Sequence, residues 1–210
     1  MTISITIIIV AVCVLVSYIC FGNQELFQKL KHWPYAEVRE KEWYRLISSG
    51  FIHGSWMHLL INMFVFWQFG EVVEARFRIE FGLLWGNLFY TLLFLVTIVL
   101  ADIPSLLKHK DNVYYSAVGA SGAVSGILFV NILFYPWNLL YLYAIIPIPG
   151  IVAGILYLAY SSWASKNSQD NIDHDAHLYG ALFGFLFTVM LKPSLFVDFI
   201  NQLMHIPYFD

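Results

Sequence analysis

Apolar residues in this chain gather into long runs separated by short polar gaps, and six runs can be drawn. The first covers Thr2–Phe21 and the second Ser55–Phe77. The third, Phe81–Ala101, is closed by Asp102 and Pro104. The fourth, Gly119–Tyr135, is closed by Pro136, and the fifth, Leu139–Ala164, contains Pro147 and Pro149. The sixth, Ala176–Leu191, is closed by Lys192 and Pro193. A helix needs about 20 apolar residues to span a bilayer. The pattern therefore predicts an all-α, polytopic membrane protein: a six-transmembrane-helix bundle with a long interfacial first connector. Residues 1–193 make up the membrane domain and 194–210 a short C-terminal tail. Pro147 and Pro149 remove backbone donors, which predicts a kink in the fifth helix. The first run has no basic flank or small-residue cleavage site and reads as a retained helix rather than a signal peptide.

Composition strengthens the membrane reading. The 210 residues are 60% hydrophobic and 12% charged, against about 25% charged in a soluble domain. The net charge of −3 and the lack of a basic run exclude a nucleic-acid partner. Cys13 and Cys20 are seven apart in the first run, a packing spacing, with no disulfide framework or CxxC motif.

The connector Asn23–Ile52 mixes Lys29, Lys31, Arg39, Lys41 and Arg45 with Glu25, Glu37, Glu40 and Glu42, and adds Trp33, Tyr35, Trp43 and Tyr44. Such a segment suits the headgroup region; a folded extramembrane loop is the alternative. The connectors after the first, third and fifth helices hold eight Lys or Arg residues, whereas the other side holds Arg76, Arg78 and Lys192. Counted alone, charge puts the first side in the cytoplasm.

Polar residues inside the membrane are costly and mark function. His58 and Asn62 fall near the start of the second helix, Ser121 at the start of the fourth and His177 at the start of the sixth. Even-numbered helices run in one direction, so these four residues share one side and one depth. His58 and Asn62 are i and i+4, on one face. His177, Gly180 and Gly184 also share a face, and Gly180-xxx-Gly184 permits close helix approach. The fourth helix presents Gly119, Gly122, Ala123 and Gly126 in return. This arrangement predicts His177 as the base that activates Ser121. From Ser121 to Tyr135 is about 22 Å of helix, short of the hydrocarbon core of about 30 Å. Ser121 thus lies below the surface, at a helix start whose free N–H groups and positive dipole end suit an oxyanion. The Ser121 N–H, His58 and Asn62 are the predicted oxyanion donors.

Other histidines compete. His174, one turn before His177 in the polar run Ser168–Asp175, is expected to be solvated. His53 is expected to tie down a loop, and His32, His109 and His205 to lie on the surface. Asp173-His174-Asp175-Ala176-His177 contains metal-ligand types but no HExxH motif, and the reading takes no metal and no cofactor.

Three stretches together resemble the rhomboid intramembrane serine proteases, over about residues 1–193. They are Gly119-Ala120-Ser121-Gly122, the stretch from His53 through His58 to Asn62, and Ala176-His177 through Gly180 to Gly184. The resemblance implies the six-helix bacterial form, with Ser121 as nucleophile, His177 as base and no acidic third member. It implies an oxyanion site of His58, Asn62 and the Ser121 N–H. Glu74 and Arg76 resemble the family's structural polar pair, and Arg45 the arginine of its Trp-Arg pair, with Tyr44 in the tryptophan place. One turn after the nucleophile, relatives often carry an aromatic that packs on the histidine ring; here the residue is Ser125. The family also implies a cytoplasmic N-terminus in a bacterial inner membrane, a cavity opening outward against the charge count, and a fifth helix that gates substrate entry. Substrates would be single-span membrane proteins, with lipid as the surroundings. Two rival readings are an inactive rhomboid-like client-binding protein and a small membrane transporter.

Overall fold

The computed structural model describes residues 3–142, 145–168, 170 and 172–207. Thr2 of the first predicted run, Tyr143 and Ala144 of the fifth, Gln169 and Asn171 of the polar run, and 208–210 of the tail lie outside them. The described chain is mostly helical, with one short two-stranded ribbon. Helix α1 (Ile5–Gly22) is followed by three short connector helices, α2 (Gln24–Leu30), α3 (Pro34–Arg39) and α4 (Arg45–Ser48). Helix α5 (Trp56–His109) precedes α6 (Ser121–Phe134), and a hairpin of β1 (Leu139–Leu142) and β2 (Ile146–Pro149) leads to α7 (Gly150–Asn167). Helices α8 (His174–Leu191) and α9 (Ser194–Met204) close the chain.

Helix α5 is 54 residues long and contains one non-helical residue, Gly82, at φ 78° and ψ 168°. That left-handed φ suits glycine and turns the chain back on itself. The second and third predicted runs are thus the two arms of one broken element. The third was expected to stop at Asp102 and Pro104, yet the helix runs through Pro104 to His109. Its last turns are held from outside: Ser105 donates to Asp173, and Lys108 donates to Asp175 and the Ser165 carbonyl.

The fifth run is corrected more deeply. Leu139–Leu142 and Ile146–Pro149 are not helix but the two strands of an antiparallel ribbon, with Leu140 opposite Ile148 and Tyr141 opposite Pro147. Two prolines one residue apart each fix φ and push the residue before them out of the helical region. They therefore end the ribbon and start α7, with Pro149 at its N-cap, instead of kinking a helix. The 194–210 stretch, read as a tail, carries α9, which turns 114° from α8 and buries Leu195 and Phe199.

Helices α1 and α5 are each long and apolar enough to cross a membrane, as is the bent pair α8–α9 taken together; α6 is shorter. Large apolar side chains face outward, Leu84 at 76% and Met190 at 80% exposure. The core joins Phe66, Phe77, Tyr90, Phe94, Ile127 and Val130 from α5 and α6. Glu74 fastens α1 to α5, its carboxylate accepting from the Ile5 and Thr6 N–H groups at 2.9 Å each and from the Thr6 hydroxyl at 2.8 Å. A carboxylate at a helix N-terminus meets unpaired donors and the positive dipole end. Glu74 and Arg76 do not pair with each other: Arg78 bonds Glu74, while Arg76 bonds Glu80 and lies over the Phe134 ring. Charges at i and i+4 meet on a helix, and charges at i and i+2 do not.

Candidate active site

One end of the bundle collects the connector, the start of α5, the end of its second arm, and the starts of α6 and α8. The connector is folded into short helices and grips the segment that leads into α6. His32 and Ala117 exchange two backbone hydrogen bonds at 3.0 Å, and the Gly119 N–H donates to the Ser49 carbonyl at 2.9 Å. This bridge was not legible in the sequence, because two single residues about eighty positions apart leave no periodic signal.

The connector is held by buried polar groups. His32, expected at the surface, is fully buried, with Nδ1 on the Glu37 carboxylate at 2.7 Å. Burial opposes charge on His32. The Glu37 bond, with the Asp102, Glu37 and Asp173 carboxylates, outweighs burial and holds its pKa above the ordinary value. Arg45 is buried too, donating to Glu42 and to the Gln28 and Lys31 carbonyls, with its guanidinium 5.5 Å from the Tyr44 ring centre and 5.7 Å from that of Trp33. His109 stacks on Tyr115 at 3.8 Å, and His205 bonds the Asn201 carbonyl.

Gly119 sits at φ +118°, and a Cβ there would meet His58 Cε1 at 2.7 Å, His58 Nε2 at 2.8 Å and Asn62 Nδ2 at 3.7 Å. Two side-chain nitrogens of α5 thus lie against the backbone two residues before Ser121. Among the described residues, neither spends its donor on a protein acceptor. Helix α6 begins at Ser121 with no side-chain cap, so its first N–H groups lack helical partners.

Helices α6 and α8 touch backbone to backbone. A Cβ on Gly126 would meet the Gly180 carbonyl at 3.0 Å, and one on Gly184 would meet Gly126 Cα at 2.5 Å. A Cβ on Gly180 would overlap the Gly122 carbonyl, and one on Gly122 would lie 3.2 Å from the Ala176 carbonyl. Ser121 precedes Gly122 and His177 follows Ala176, so this contact sets the two residues on facing first turns. Their side chains make no direct hydrogen bond with each other.

The start of α8 is fixed by Asp173, whose carboxylate accepts from the Ala176 N–H at 2.9 Å, the Ser105 hydroxyl at 2.8 Å and the Tyr115 hydroxyl at 2.7 Å. An aspartate three residues before an apolar run is an N-cap signal, and it was available in the sequence. Burial, and then the Asp173 charge, raise the Tyr115 pKa and keep its hydroxyl a donor. His174 is buried, not solvated: Nε2 bonds Asp170, and its ring stands edge-on to Tyr160 and His177. His53 is buried with Nδ1 3.0 Å from Ser17 Oγ, and its ring meets His58 edge-on at 5.0 Å. No cluster of three metal-ligating side chains occurs among the described residues.

A family model described as a rhomboid domain matches residues 40–194, most of the chain. The chain belongs to the rhomboid family. This rhomboid is an integral membrane protein, and its apolar helices fit transmembrane segments. It is 30% identical over 167 residues to Rhomboid-like protein 11, chloroplastic, of Arabidopsis thaliana, covering 74% of this chain and 56% of that one. With RHOMBOID-like protein 12, mitochondrial, of the same plant it shares 29% over 143 residues, 65% of this chain and 43% of the other. With Rhomboid protease GlpG of Haemophilus influenzae it shares 36% over 75 residues, 35% of this chain and 38% of the other. The rhomboid thus spans about half the length, or less, of these curated relatives.

Proposed function

We propose that this rhomboid is an intramembrane serine protease that cuts single-span membrane proteins near the membrane face where α6 and α8 begin. The observation that carries the reading is the convergence at Ser121. An uncapped helix start, two unengaged side-chain donors and a histidine on the facing turn all meet there. In this reading Ser121 Oγ attacks the scissile carbonyl, and His177 takes the serine proton and passes it to the leaving amine. Water then gives a proton to His177 as its oxygen bonds to the ester carbonyl; the bond to Ser121 Oγ breaks, His177 returns the proton to that oxygen, and the acyl group leaves as a carboxylic acid. The oxyanion is held by the Ser121 N–H, His58 and Asn62. No metal or cofactor takes part.

Six crossings follow if α1, the two arms of α5, α6, α7 and α8 each span the bilayer. Helix α7 is the entry gate for substrate: among its described residues only Gly150, Gly154, Ser161 and Ala164 are buried, so little packing opposes its outward movement. The N-terminus is cytoplasmic and the membrane is a bacterial inner membrane. The test is cleavage of a model single-span substrate in liposomes. Ser121→Ala and His177→Ala are each expected to abolish cleavage while the protein stays folded. Cleavage retained by either variant would sink the assignment.

A further inference from the structure

Helix α6 has Ser125 one turn after Ser121, so it offers no ring to the histidine. The ring comes instead from α7. Tyr157 lies against His177 with 6.3 Å between ring centres and 25° between planes, an offset stack within the favourable range. Tyr157 also meets Phe129 of α6 at 5.8 Å and 49°. Its hydroxyl is fixed as well. Ser125 Oγ donates to the Ser121 carbonyl at 2.8 Å, and a serine has one proton to give. The contact between Tyr157 Oη and Ser125 Oγ, at 2.5 Å, therefore has Tyr157 as donor. A relay runs from the Tyr157 hydroxyl through Ser125 to the backbone of Ser121 itself.

Ser125 is 5% exposed and touches the tip of Tyr157. A large side chain at 125 would claim the volume that Tyr157 now fills. The two positions behave as one slot filled from one helix or the other.

We propose that Tyr157 is the positioning residue for His177, holding the imidazole toward Ser121 from α7, in space left open by Ser125. The proposal rests on reading His177 as the base. Because the ring is carried by the least buried of the helices around the site, outward movement of α7 also takes the support off His177.

The experiment measures kcat and KM of the full chain in liposomes on one model transmembrane substrate. Tyr157→Ala is expected to lower kcat by between about 10- and 100-fold, the scale of a mispositioned catalytic group, with KM unchanged. Tyr157→Phe keeps the ring and is expected to keep most of kcat. Ser125→Phe in the Tyr157→Ala background refills the slot from α6 and is expected to restore kcat. That double variant also decides the matter if Tyr157→Ala alone folds poorly. The proposal is overturned if Tyr157→Ala changes KM only or nothing, if Tyr157→Phe is as impaired as Tyr157→Ala, or if the double variant recovers no kcat. His177→Ala runs in parallel. Activity retained there defeats the protease reading, whereas an inactive His177→Ala beside a fully active Tyr157→Ala defeats the positioning role alone.

Discussion

Gly119 shows how much one residue decides at this site. Its positive φ and the 2.7 Å clearance to His58 exclude any side chain, so His58 and Asn62 reach the backbone beside Ser121. If these two donate to the oxyanion, Asn62→Ala lowers kcat by about 10²–10³, the usual cost of losing such a donor. Steady-state cleavage kinetics check this, and an unchanged kcat would remove Asn62 from the oxyanion site. His53 gives a separate prediction, about stability. Ser17 donates to the Phe51 carbonyl, so it accepts from His53 Nδ1–H, and Nε2 is left buried without a partner among the described residues. Burial, with a smaller contribution from His58, lowers its pKa to about 3. The unfolded chain, with an ordinary histidine near 6.5, takes the proton first. Stability is therefore fully present above pH of about 6.5 and is lost as pH falls toward about 3. Melting curves in detergent should show a shallower acid slope for His53→Gln than for the wild type. Equal slopes would show that His53 is not the titrating group.

The α6–α8 contact is the element on which the site depends. Lipid supplies no hydrophobic drive between helices, so close packing of small residues has to hold them. At Gly180 even a methyl group overlaps the Gly122 carbonyl, whereas at Gly22 a Cβ meets nothing within 4 Å. Gly180→Ala is expected to cost about 1–3 kcal/mol of stability, the range for overpacking, and to lower the melting temperature. Gly22→Ala is the neutral comparison, and equal melting curves for the two would contradict the packing account. The glycine spacing made this contact legible in the sequence, because helix faces follow from periodicity. The ribbon before α7 was less legible: Leu139–Pro149 is apolar enough for a helix, and only the paired prolines speak against one. Tyr157 was not legible at all, since its meeting with His177 depends on how α7 lies beside α8, which no spacing within either helix encodes.

At the scale of the whole molecule, the candidate active site, the connector and the starts of α6 and α8 share one end of the bundle. The depth argument placed His58, Asn62, Ser121 and His177 at that end from helix direction alone. Charge puts that side in the cytoplasm, and the family resemblance puts it outside. Arg45, one of the eight residues counted, is buried and bonded inside the folded connector, so it is not a free flanking charge, and we follow the family over the count. Asp111, 62% exposed at its side chain, and Ile79, 70% exposed, lie toward opposite ends of the second arm and the turn of α5. A membrane-impermeant maleimide on intact cells is expected to label Asp111→Cys and spare Ile79→Cys; the reverse pattern would invert the orientation. The central claim remains that Ser121 is a nucleophile activated by His177. It is tested most directly by reacting the purified protein with a serine-directed fluorophosphonate and mapping the adduct by mass spectrometry. The account predicts one adduct, on Ser121, that disappears in His177→Ala. An adduct on Ser125, or one on Ser121 that forms as fast without His177, would contradict it.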